Sequence, residues 1–179
     1  MSQPSSSNGY VARNVVAGLI GGLVASYAMT QFQQALSRIS EDVGGASGGG
    51  GQQHRKPQSE PATYKAADAA ARAVTGKPLP KEDKPLGGSL VHYAFGGAVG
   101  AMYGAAASQN REVTAWGGIP FGATVWLVAD EIGVPLSGLS KRPTEYPLST
   151  HVSAFATHLV YGAATEGVRK LLTRGTRSR

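Results

Sequence analysis

There is no cysteine among the 179 residues of this chain, which removes both a disulfide framework and any thiolate metal centre from consideration. Positive charge is missing from the start: Met1 to Ala12 holds no lysine or arginine, and Arg13 is the first cation. A secretory leader opens on a basic segment, continues with a short apolar core and ends at a small-residue cleavage site. Here the first apolar run is long and passes into Gln31, Gln33 and Gln34, so it is expected to be an uncleaved span. Catalytic signatures are also missing. Gly48 to Gly51 is glycine-rich like a phosphate loop, but no Lys-Ser/Thr pair follows it and no strand precedes it. No HExxH or HxxxH spacing occurs on one helix. No enzyme, resident metal or cofactor is therefore expected. The net charge of +6 would suit nucleic acid or an anionic membrane surface. The cations gather at the edges of apolar blocks without interleaved aromatics, which speaks against nucleic acid.

What is present is segregated. A mean hydropathy of −0.14 resembles that of a soluble protein, but polar stretches from Ser40 to Pro85 and from Arg174 onward pull the average down. The remainder forms apolar blocks of the length that crosses about 30 Å of hydrocarbon. The expected architecture is all-α: a four-helix transmembrane bundle with spans at about 15–36, 86–108, 113–132 and 147–170. Residues 1–13 are expected to be disordered and 173–179 to form a basic tail. A flexible Gly-rich loop, 40–61, and a short helix, 62–76, separate the first two spans. In that helix Ala66, Ala69, Ala70, Ala73 and Val74 share one face, Gly76 stops it, and Pro78, Pro80 and Pro85 forbid its continuation. It could lie on a membrane surface.

The spans are rich in glycine, which costs a water-exposed helix about 1 kcal/mol per residue relative to alanine. In a bilayer the alternative exposes backbone to hydrocarbon, so glycine is tolerated. Gly96, Gly100 and Gly104 recur every four residues, Gly18, Gly22 and Ser26 form a shorter row, and Gly118 and Gly122 a third. Such glycine-zipper rows let a second backbone approach closely. That backbone could belong to this chain or to a second copy, so a homo-oligomer is an open arrangement beside the lipid bilayer as partner. Pro120, between the last two glycines, is expected to bend or loosen that turn.

Ionisable groups inside spans are costly and therefore informative. Antiparallel spans would bring Gln31, His92, Asp130, Glu131 and His151 toward one membrane face, with His158 about 10 Å deeper on the face of His151. Three readings compete for His92, Asp130, Glu131, His151 and His158: structural packing, a protonation site in which carboxylates act on histidine, and a metal site built from His92, His158 and a carboxylate. Glu166 and Arg169 fall near the opposite face at ion-pair spacing.

The runs Leu90-Val91-His92-Tyr93-Ala94-Phe95-Gly96, Pro120-Phe121-Gly122 with Val125-Trp126-Leu127-Val128-Ala129-Asp130-Glu131, and His158-Leu159-Val160-Tyr161-Gly162 resemble the YagU-like family of small bacterial inner-membrane proteins. The likeness extends from Val15 to about Leu172, includes Ala66 to Ala69, and leaves out the Gly-rich insert. It implies a multi-pass inner-membrane protein, uncharacterised in molecular function, and supplies no catalytic residue. The lean toward cytoplasmic termini rests partly on it and partly on the basic tail. Two functions follow as expectations. One is a membrane protein that is proton-responsive, or lines a small polar path, through the His/Asp/Glu cluster. The other is a structural or oligomeric scaffold packed through its glycines.

Overall fold

The computed structural model describes residues 5–46 and 60–174, and within them the chain is all-helical, with no strand. The elements are α1 (Ser5–Ala46), α2 (Ala62–Thr75), α3 (Lys84–Gln109), a 3₁₀ turn (Arg111–Gly118), α4 (Ile119–Val125), a π-helix (Trp126–Gly133), α5 (Val134–Leu136), a short 3₁₀ turn (Pro143–Glu145) and α6 (Leu148–Thr173). Two stretches, Asn8–Ser40 and Arg111–Leu136, are long and apolar enough to cross a membrane. The first helix starts at Ser5, inside the segment expected to be disordered, and continues to Ala46, into the expected loop. Most of the Gly-rich insert, with Gly48 to Gly51, lies outside the described residues, as does the tail beyond Arg174.

α1 sits between α3 and α6, antiparallel to both, and α4 packs on α6. The glycines position these contacts. A Cβ at Gly18 would collide with the Gly100 carbonyl oxygen, one at Gly22 with the Gly96 oxygen, and one at Gly104 with the Asn14 oxygen. On the other side of α1, a Cβ at Gly21 would stand 2.7 Å from the Thr165 oxygen. Between α4 and α6, Gly118 and Gly122 meet Gly162 and the His158 carbonyl in the same way. All these contacts lie within one chain, so the close approach is satisfied without a second copy.

The third apolar segment departs from expectation. Ala115 is extended, Trp116 and Gly117 have φ of 54° and 66°, and Gly118 follows at 86°. Helix therefore begins at Ile119, and Pro120 falls in the first turn, where its missing N–H is not needed. Pro120 starts the helix and does not bend it. The continuous helical rod runs from Ile119 to Leu136, shifted toward the C-terminus from the expected 113–132.

α2 also turns a different face inward. Ala67 is buried, and Tyr64 and Thr63 lie against Gly88, while Ala69, Ala70, Ala73 and Val74 stay exposed. The apolar face read from the sequence is thus the outer one. Asp68 ties the helix to the following loop: it accepts from the Leu79 amide at 2.7 Å and pairs with Arg72 at 2.9 Å.

The distribution of polarity is inverted relative to a water-soluble bundle. Leu19, Leu23, Val24, Leu90, Phe95, Met102, Leu127, Val128, Val152 and Phe155 are exposed, whereas Asn14, Ser26, Thr157, His158, Thr165, Glu166 and Arg169 are buried. The inner hydroxyls are satisfied by their own helices. Ser26, Thr157 and Thr165 donate to the carbonyls of Gly22, Ser153 and Tyr161, one turn back.

Candidate functional site

Asp130 and Glu131 are neighbours in sequence, and in an α-helix adjacent side chains diverge by about 100°. The π-helix that carries them has longer backbone rings, as in the Val134 amide bonding to the Ala129 carbonyl. Wider turns reduce the divergence of neighbours, and both carboxylates reach α6. Glu131 Oε1 lies 2.7 Å from His151 Nδ1, and Asp130 Oδ2 lies 3.7 Å from His158 Nε2. The two histidines are seven residues apart, two turns of α6 on one face, about 10 Å. Phe155 sits between them in sequence and meets Trp126 edge-on at 5.0 Å. The indole N–H of Trp126 is buried with no hydrogen-bond partner among the described residues.

The hydrogen-bond geometry constrains where protons sit. His151 has an acceptor at each ring nitrogen: the Glu131 carboxylate at Nδ1 and the Pro143 carbonyl at 3.0 Å from Nε2. A neutral imidazole has a single N–H and can satisfy one of them. Both contacts are made as hydrogen bonds when the pair holds one proton more, on the ring or on the carboxyl. In His158, Nδ1 lies 2.9 Å from the Ala154 carbonyl and must donate to it. Neutral His158 then turns an Nε2 lone pair toward Asp130, and one added proton converts that repulsion into attraction. The His158 side chain is 9% exposed and that of Asp130 41%, so this pair is buried on the histidine side and open on the carboxylate side.

His92 is placed differently. Its Nε2 is 3.3 Å from the Ser26 carbonyl, so it bridges α3 to α1. Asp130 still lies within electrostatic range of His92, His158 and Glu131. Gln31 is exposed. Among the described residues no three His, Asp or Glu side chains converge as a metal-binding set.

Sequence reasoning gave too little weight to the other end of the bundle. Glu166, 1% exposed, is gripped by Arg169 through two bonds, Nε to Oε2 at 2.6 Å and Nη2 to Oε1 at 2.8 Å. Tyr103 donates to Oε2 at 2.9 Å, Lys170 reaches Oε1 at 3.2 Å, and Arg169 Nη1 donates to Asn14 Oδ1 at 2.8 Å. The i, i+3 spacing pointed to the ion pair. The recruitment of Asn14 had a signal too, since Asn14 continues the Gly18, Gly22, Ser26 row by one turn. Tyr103 had none beyond its place beside Gly104. Phe121 stacks on Tyr103 at 4.2 Å and lies 5.9 Å from Tyr161, whose hydroxyl donates to the Gly96 carbonyl at 2.6 Å. An aromatic layer thus separates the Glu166 centre from the histidine pairs.

No curated protein and no solved structure matches the chain. A family model described as a protein of unknown function, DUF1440, matches residues 75–167, more than half of the sequence. That stretch holds α3, the π-helix and most of α6, as far as Gly167, and so contains both acid–histidine pairs, which makes this chain a member of the DUF1440 family.

Proposed function

We propose that the chain is a four-span integral membrane protein, not an enzyme, that senses protons through Glu131–His151 and Asp130–His158. The observation that carries the proton reading is that two consecutive carboxylates each meet a histidine in a geometry completed by one additional proton. The inverted polarity supports the membrane setting, since outward Leu, Val and Phe find hydrocarbon and inward polar groups find one another. α3 and α6, of 26 residues each, are about 39 Å long and can cross a bilayer, although neither holds an uninterrupted window as apolar as that of α1. The resemblance to YagU-like proteins supports a bacterial inner-membrane location for this reading. The cations Arg169, Lys170 and Arg174 support cytoplasmic termini.

The glycine contacts favour this reading over an oligomeric scaffold. Gly18, Gly22, Gly96, Gly100, Gly104, Gly118 and Gly122 all face backbones of the same chain. A zipper to a second copy would have to give up those contacts.

Trp126 offers a direct test, because it lies one turn before Asp130 and touches Phe155. With Trp116 replaced by Phe, Trp126 is the one remaining tryptophan. In lipid vesicles its emission should shift as the pH is lowered and the two pairs take up protons. The shift should vanish in a His151→Gln/His158→Gln variant. An unchanged titration in that variant would sink the proposal.

A further inference from the structure

The end of the bundle that carries Ser5 and Thr173 contains a cavity of about 480 Å³, lined by Tyr10, Ala107, Arg111, Thr114, Arg169, Lys170, Thr173 and Arg174. Its size is in the range of about 300–1,000 Å³ typical of small-molecule sites. Four of its eight lining residues are cations, and no acidic side chain lines it. They come from different places: Tyr10 from α1, Ala107 from the end of α3, Arg111 and Thr114 from the turn after it, and the others from the last turns of α6 and the residue that follows. Arg169 is held in place by Glu166 and Asn14. Arg111 and Arg174 form no ion pair among the described residues.

Charge balance indicates what is missing. Against the four cations stand the Glu166 carboxylate and the negative ends of α3 and α6, each equivalent to roughly half an elementary charge. About two positive charges remain unbalanced. Cations near a helix C-terminus are ordinarily explained by the dipole, and here they exceed it. Glu112, next to Arg111, does not line the cavity. The hydroxyls of Thr114 and Thr173 already donate to the carbonyls of Arg111 and Arg169, so new hydrogen bonds to an anion would come from guanidinium and ammonium groups. Planar guanidinium forks match the oxygens of a phosphate group.

We infer that this basic cavity binds a phosphate group, carried by an anionic phospholipid headgroup or by a free phosphate anion. A groove of about 380 Å³ at the same end of α1, lined by Ala12, Arg13, Val16, Ala17, Ile20 and Leu172, is apolar apart from Arg13. It provides a surface for an acyl chain near the cavity, which favours the lipid source. The site lies at the opposite end of the bundle from His151 and Glu131, and its test is independent of theirs.

The full chain, purified in neutral detergent, is titrated separately with phosphatidylglycerol and with inorganic phosphate. Bound lipid is read by native mass spectrometry and bound phosphate by calorimetry. The variants are Arg111→Gln alone, the triple Arg111→Gln/Lys170→Gln/Arg174→Gln, and a control triple, Lys77→Gln/Lys81→Gln/Lys141→Gln, that removes as much charge elsewhere. Retention of phosphatidylglycerol by the native chain, weakened about tenfold or more in the cavity triple and unaltered in the control, identifies a lipid headgroup site. Saturable phosphate binding lost in the same pattern identifies a free-anion site. Arg111→Gln alone, which breaks no ion pair among the described residues, should weaken binding in the same direction. Equal losses in both triples, or no binding of either probe by the native chain, would overturn the inference.

Discussion

A methyl group at Gly118 would meet two obstacles. The backbone there has φ of 86°, a left-handed conformation that costs an ordinary residue about 1–2 kcal/mol. The new Cβ would also strike the Gly162 carbonyl and stand 2.8 Å from Glu166 Cβ. Gly117, with φ of 66° and nothing within 4 Å, meets only the first obstacle. Gly118→Ala should therefore cost clearly more stability than Gly117→Ala, and thermal unfolding of the two variants in detergent measures the difference. Equal losses would mean that the α4–α6 approach at Gly162 is looser than described.

At the scale of elements, α2 is the piece whose docking depends on exposed charge. The Arg72 guanidinium hydrogen-bonded to Asp68, with the Leu79 amide beside it, holds the Asp68 carboxyl below the usual carboxylate range. A depressed value in the folded state means that the stabilisation is complete above the ordinary value and is lost as pH falls through the lowered one. The hydrogen bond to Glu60 raises Lys84 above the usual lysine range, so its stabilisation is complete below the ordinary value and lost at higher pH. Protection of the α2 amides from hydrogen exchange, relative to their intrinsic rates, should therefore fall under acid, below about pH 4, and Asp68→Asn should bring that weaker protection to neutral pH. If the variant exchanges like the native chain, Asp68 does not hold the helix.

α2 also shows where the sequence was legible and where it was not. Gly76 and the three prolines after it marked the helix end, and Gly76 does close it in a left-handed conformation. The inward face was misread because alanines on every side give no contrast, and Tyr64, which chose the face, was outweighed by their number. In the third segment, composition marked an apolar block but could not show that Trp116 would join two glycines in a left-handed run, which moved the helix start to Ile119. The π-helix was invisible to periodicity, because the eight residues from Trp126 to Gly133 span too few turns for a change of pitch to leave a mark. Spacing alone made Glu166 and Arg169 neighbours, while the participation of Tyr103 required knowing how α3 sits on α6.

At the scale of the molecule, the inversion of polarity separates membrane burial from exposure to water. The lack of cysteine makes any introduced thiol unique. In intact vesicles, Leu90→Cys and Val152→Cys, on outward apolar positions, should resist a water-soluble maleimide, while Lys81→Cys and Lys141→Cys should react from one and the same side. Rapid labelling of the first pair would refute spans at α3 and α6. Reaction of the second pair from opposite sides would refute the even number of crossings between them.

The π-helix has a last consequence, which concerns reading frame more than side chains. A π-turn is an α-helix that has absorbed one residue. Removing a single codon between Trp126 and Ala129 would let the rod close into ordinary α-helix, with adjacent side chains again about 100° apart. Asp130 and Glu131 would both survive with their chemistry intact, yet they could no longer both face α6. The acid–histidine pairing is thus more vulnerable to a one-residue deletion several positions away than to many substitutions among its immediate neighbours.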